Sequence, residues 1–140
     1  MNALLTVIVT WLSINFGLPA NYDHPTIEFM AEDAIHAVRY GPIKSEQGPH
    51  VVAVYDDLRK RILLPQSWSA ERPADVSALV HEMVHHLQRQ AEMKYACTSA
   101  REELAFAAQA KWLDQIGTDL NREFRLDAFT LKIMTICPLL

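Results

Sequence analysis

Residues 73–91 constrain this chain most. After Pro73 the stretch holds no further proline and no glycine. At about 100° per residue, Val76, Leu79, Val80, Met83, Val84, Leu87 and Ala91 gather on one broad apolar arc. That spacing predicts a long amphipathic helix laid on a core, with Pro73 in its first turn, where a missing N–H costs little. His81, His85 and Gln88 fall on roughly the opposite side, with Glu82, Asp75 and Arg89 at their flank. The polar side faces either a cleft or plain solvent.

The order His81-Glu82-Met83-Val84-His85 decides how that side is read. Histidines four apart on a helix sit one turn above each other, so both imidazoles can reach one zinc ion, while the glutamate between them flanks a water. The bland alternative is a solvated face carrying ordinary residues. The apolar neighbours Val80, Met83, Val84 and Leu87 suit a buried helix that carries a site, and the metal-site reading is adopted.

A catalytic zinc commonly holds three protein ligands and keeps a fourth position for water, so two histidines are not enough. A later helix, capped by Thr98 or Ser99 and running to about 116, supplies a candidate. Ala105, Phe106, Trp112, Leu113 and Ile116 form its apolar stripe, and Glu102 lies in the middle of it, with Gln109 two turns on. A carboxylate in an apolar face is costly to bury unless something positive meets it, and zinc would be that partner. The alternative is a capping box, since Ser99-Ala100-Arg101-Glu102 has the Ser-x-x-Glu spacing. The ligand role is preferred because it also explains why Glu102 shares a face with Trp112. Glu103, turned about 100° away, is the reserve. Gln88 and Gln109 are either donors behind the ligands or, more commonly, polar residues at a helix edge. His36, on an earlier helix, reads as a surface or locally bonded histidine.

The remaining sequence bounds the architecture. With 140 residues, one domain with a real core is expected. The net charge is −4, and the one tight basic cluster, Arg59-Lys60-Arg61, falls in an expected hairpin turn, which argues against a nucleic-acid partner. The apolar run 3–14 lacks a positive leading region and is too short to span a bilayer. It reads as a first helix ending near Gly17-Leu18-Pro19 rather than as a signal peptide or membrane anchor, and the compartment stays open between cytoplasm and export. In an exported protein Cys97 and Cys137 can form one disulfide; in the cytosol they are buried thiols.

In chain order the expectation is a strand at 26–30, a helix at 31–40 with Ala34, Ile35 and Val38 inward, and a loop at 41–49. Strands at 51–55 and 61–64 follow as a hairpin, then the helix with the two histidines, a bridge at 90–96 and the Glu102 helix ended by Gly117. Short helices at 119–124 and from an Asp127 cap to about 136 close the chain. The predicted class is α+β: mainly helical, with a small sheet or hairpin beside the motif helix.

With His81-Glu82-Met83-Val84-His85 followed by Glu102-Glu103-Leu104-Ala105-Phe106, the chain resembles the gluzincins, metallopeptidases whose third ligand is a glutamate on a later helix, often in a Glu-x-x-Ala setting. It looks most like small bacterial single-domain members, and the likeness is most specific over 80–112. The resemblance implies a zincin-like domain with zinc on His81, His85 and Glu102. It also implies Glu82 as general base, hydrolysis of a peptide bond, and a peptide or protein substrate able to pair in extended form with the sheet. Larger gluzincins carry a C-terminal subdomain that offers a Tyr or His to the oxyanion. Here about two dozen residues follow the Glu102 helix, and Tyr95 or His86 would have to substitute. Two other classes stay in view: a zinc-binding interaction domain without turnover, and a metal-free helical interaction module.

Overall fold

Ile62, Leu63 and Leu64 are fully buried, although successive strand residues point to opposite faces. The strand they form is therefore covered on both sides, and the fold is built around it. The structure, a computed structural model, describes residues 1–41 and 53–139. In order these form α1 (Asn2–Phe16), β1 (Thr26–Met30), α2 (Glu32–Tyr40), β2 (Val54–Asp56) and β3 (Arg61–Pro65). After them come α3 (Pro73–Gln90), α4 (Thr98–Gln115), α5 (Leu120–Phe124) and α6 (Ala128–Thr135). The class is α+β, as expected. Val51, Val52 and residues 42–49 of the expected loop lie outside the described residues.

The sheet order is β1-β3-β2. β2 runs antiparallel to β3, with Val54 opposite Leu63 and Asp56 opposite Arg61, so the hairpin is present. β1 pairs with β3 in parallel, from Thr26 opposite Arg61 to Met30 opposite Pro65. A parallel partner arrives by a long crossover rather than a tight turn, and no local pattern announces it. One face of the sheet packs Val54 and Leu63 against Ile35 of α2, with Met30 alongside. Here the structure departs from expectation: Ile35 and His36 are buried, whereas Ala34 and Val38 are exposed. A buried face centred between Ile35 and His36 turns Ala34 and Val38 more than about 100° away.

The opposite face carries the main core. Tyr55, Ile62 and Leu64 meet Leu5, Ile8, Val9 and Leu12 of α1, the apolar arc of α3, and Ala105 and Ala108 of α4. Each fully buried Leu, Ile or Met there contributes at most roughly 1.5–3 kcal/mol. α1 is thus part of the core. Gly17, at φ 68°, ends it by donating its N–H to the Ser13 carbonyl. Among the described residues no helix is long and apolar enough to cross a membrane. Trp11 meets Trp112 edge-on at 5.1 Å and donates to Gln115 Oε1 at 2.8 Å, joining α1 to α4.

Beyond α4, Asp119 and Asp127 cap α5 and α6 by accepting from the backbone N–H of Arg122 and Thr130. Cys97 and Cys137, 5.8 Å apart between Cα atoms, form a disulfide that fastens the chain after α6 to the start of α4.

Candidate metal centre

The polar side of α3 is covered rather than left to solvent. His81, His85 and Gln88 are 8, 5 and 2 % exposed, because α4 lies along them and presents Glu102 and Gln109. Burying that many polar atoms requires each to be partnered, and the partners form an ordered set.

His81 Nε2 lies 2.8 Å from Glu102 Oε2, and His85 Nε2 lies 3.1 Å from Glu102 Oε1. One donor atom from each of the three residues falls within 4.8 Å of the others, a group able to hold a metal ion. A small tetrahedral ion with bonds of about 2.0–2.1 Å imposes ligand separations of roughly 3.4 Å; the two histidine–carboxylate separations are shorter than that, so the carboxylate would move a few tenths of an ångström outward to admit one. The histidine rings stand nearly perpendicular with centroids 4.9 Å apart, and Phe106, one turn beyond Glu102, packs on His81 at 4.6 Å.

The hydrogen-bond directions behind the histidines are fixed by backbone carbonyls, which can only accept. Ser77 Oγ donates to the Ala74 carbonyl at 2.8 Å and accepts from Gln109 Nε2 at 3.2 Å. Gln109 Oε1 therefore faces His81 Nδ1, at 2.9 Å, and that nitrogen donates. Likewise Gln88 Nε2 donates to the Arg101 carbonyl at 3.0 Å, so Gln88 Oε1 accepts from His85 Nδ1 at 2.8 Å. In a neutral ring each Nε2 then carries a lone pair aimed at a carboxylate. Acceptor against acceptor is repulsive unless a cation lies between them, either a proton on the ring or a metal ion. The donor set of two imidazoles and one carboxylate is one a divalent ion accepts.

Glu82 sits at the edge of this group. Its Oε1 accepts the Tyr55 backbone N–H at 3.0 Å, and its Oε2 is 4.0 Å from His81 Nε2. Burial, aided by the Glu102 charge, pushes its carboxyl up to about 7, against the pull of His81, the Tyr55 N–H and Arg39. Burial works in the same direction on Glu102, but hydrogen bonds from His81 and His85 outweigh it and hold that carboxyl well below the usual range. Two nearby carboxyls thus differ in proton affinity, an arrangement typical of acid–base sites.

The structure distributes the other sequence candidates as follows. α4 takes Cys97 as its N-cap, with no side-chain cap, so neither Thr98 nor Ser99 caps it and the Ser99–Glu102 capping box does not form. A cation between the rings and the carboxylate, whether protons on Nε2 or a metal ion, outweighs one backbone N–H for a buried carboxylate. Glu103 is exposed, and His36 is buried on α2 and contributes no donor atom to the group. Tyr95 is engaged behind the ligands, its hydroxyl accepting from Gln88 Nε2 at 2.9 Å. His86 donates through Nε2 to the Asp23 carbonyl at 2.8 Å, which leaves Nδ1 to accept from the Tyr55 hydroxyl at 3.0 Å. Burial favours its neutral form and pushes the Tyr55 hydroxyl up to about 12.

Three contributors carry no signal in the sequence. The Tyr55 N–H is a backbone group, and Arg101 and Asp57 meet across the fold in a bidentate pair at 2.7 and 3.1 Å. A cavity of about 440 Å³ opens beside Gln88, Tyr95 and Arg101, on the Nδ1 side of His85, and none of the three candidate ligands lines it.

Fold and site together define an α+β domain with a buried two-histidine, one-carboxylate centre. The chain belongs to the family described as a domain of unknown function, DUF6647, whose model matches residues 1–138. No curated protein and no solved structure matches it.

Proposed function

We propose that this chain is a zinc-dependent hydrolase, a metallopeptidase of gluzincin type acting on peptide or protein substrates. The observation that carries the reading is the convergence of His81 Nε2, His85 Nε2 and the Glu102 carboxylate, with Glu82 4.0 Å from His81 Nε2. His81, His85 and Glu102 would hold the ion, which when bound would lower the pKa of a water toward about 7 and polarise a carbonyl. Glu82 would take the proton from the attacking water and return it to the leaving amine; burial raises its carboxyl and a bound dication lowers it again, which keeps it a carboxylate able to accept that proton. Gln88 and Gln109 keep each Nδ1 protonated and each Nε2 available. Among the described residues β2 is an edge strand of the sheet, beside which an extended peptide could run past the Tyr55 N–H that Glu82 occupies.

The test is zinc stoichiometry by elemental analysis on wild type, His85→Ala and Glu102→Ala purified side by side, followed by cleavage of a broad peptide library. One zinc per chain in wild type, lost in His85→Ala and much weakened in Glu102→Ala, is expected, together with cleavage that stops in Glu82→Gln. No zinc in wild type after reconstitution would overturn the reading.

A second reading, a zinc-binding interaction domain without turnover, is favoured by one observation. Tyr95 and His86, the residues considered for the oxyanion, are both bonded elsewhere. Zinc binding with no cleavage across the library would select it.

A further inference from the structure

Behind His85 a line of side chains leaves the candidate metal centre and ends on the hairpin. Gln88 Oε1 accepts from His85 Nδ1 and lies 3.4 Å from Arg101 Nε. The Arg101 guanidinium forks onto both oxygens of Asp57, which directly follows β2, and its Nη2 lies 3.5 Å from the His85 carbonyl oxygen. Arg101 also precedes Glu102 on α4, and its own carbonyl accepts from Gln88 Nε2. Asp57 stands two residues from Tyr55, whose N–H holds Glu82, so the hairpin grips both the base and the back of a ligand.

We propose that Arg101, locked by Asp57, is a positioning residue of the metal centre: it holds Gln88 and the last turns of α3 so that His85 Nε2 faces Glu102. This rests on the metal-centre reading. The planar guanidinium reaches Gln88 and both Asp57 oxygens from three separate nitrogens, whereas an ammonium group presents its donors from one atom and holds no such fixed fork. Charge and geometry make opposite predictions here. As a cation alone, Arg101 repels a bound dication, so removing it tightens metal binding. As a positioning group, removing it frees Gln88 and weakens binding.

Zinc affinity, measured by competition with a chromophoric chelator on full-length wild type, Arg101→Lys, Arg101→Ala, Asp57→Asn and Gln88→Ala, separates the two. Arg101→Lys and Arg101→Ala are each expected to bind zinc about 10-fold more weakly, near the lower end for partners of metal ligands. Cobalt-substituted Arg101→Lys is expected to show a shifted visible spectrum. Adding Arg101→Ala to Gln88→Ala is expected to cost little more than Gln88→Ala alone, because both act along one path. Unchanged or tighter zinc binding in Arg101→Lys and Arg101→Ala, with wild type binding normally, would overturn this inference alone. Wild type without zinc would overturn it together with the metal-centre reading. Should Arg101→Ala not fold, Arg101→Lys and Asp57→Asn decide, since Asp57 is partly exposed and its change is mild.

Discussion

Glu82→Gln should make the metal-free protein more stable at pH 8 and, on the proposed function, slow hydrolysis by the zinc-loaded protein. The folded protein raises this carboxyl from 4.5 to about 7. Its proton therefore binds more tightly in the folded state, and stability is lost as pH rises through that interval. At about 1.4 kcal/mol per pH unit, the loss is about 3 kcal/mol once pH exceeds 7. Glutamine keeps an oxygen to accept the Tyr55 N–H but carries no charge to bury. Urea denaturation of EDTA-treated wild type and Glu82→Gln, from pH 4.5 to pH 8, should show a gap of about 3 kcal/mol at pH 8 that closes toward pH 4.5. Added zinc should shrink the gap, since a dication beside Glu82 favours its carboxylate. Peptide cleavage should fall by roughly 10²–10⁴-fold. A variant destabilised equally at both ends of the pH range, or one that still cleaves with zinc bound, would refute the reasoning.

Three further predictions follow from the geometry. Reducing Cys97–Cys137, or replacing both with serine, opens a loop whose ends are 40 residues apart and should cost about 2–4 kcal/mol by loop-closure entropy; an unchanged urea midpoint would contradict this. Met83→Ala, at a fully buried position between α3 and the main core, should cost about 2–5 kcal/mol in the same assay. Gln109→Leu strips the acceptor from His81 Nδ1 and should weaken zinc binding by roughly 10–100-fold, read by chelator competition; wild-type affinity would remove Gln109 from the centre.

Helix boundaries were largely legible because local chemistry sets them. The absence of breakers after Pro73 marks α3, Gly17 ends α1 in a left-handed turn, and Asp127 accepts the N–H bond expected of a cap. Glu102 could be singled out because a charge inside an apolar stripe demands a partner. Where burial depends on a neighbouring element, local pattern misled. Ala34 and Val38 face solvent because the sheet meets α2 along Ile35 and His36, and the start of α4 falls to Cys97, the residue the disulfide anchors.

The sequence by itself determined which residues share a helix face, because side-chain direction repeats with the backbone period; that was enough to put His81, His85 and Gln88 together and Glu102 with Gln109. Only the tertiary structure decided that these two faces meet. The parallel pairing of β1 with β3, the burial of the α3 polar side and the approach of Arg101 to Asp57 join residues as far as 44 positions apart. Such contacts form only when the whole core closes, since the apolar arc that drives it lies on the opposite side of α3 and on the same side of α4 as Glu102 and Gln109.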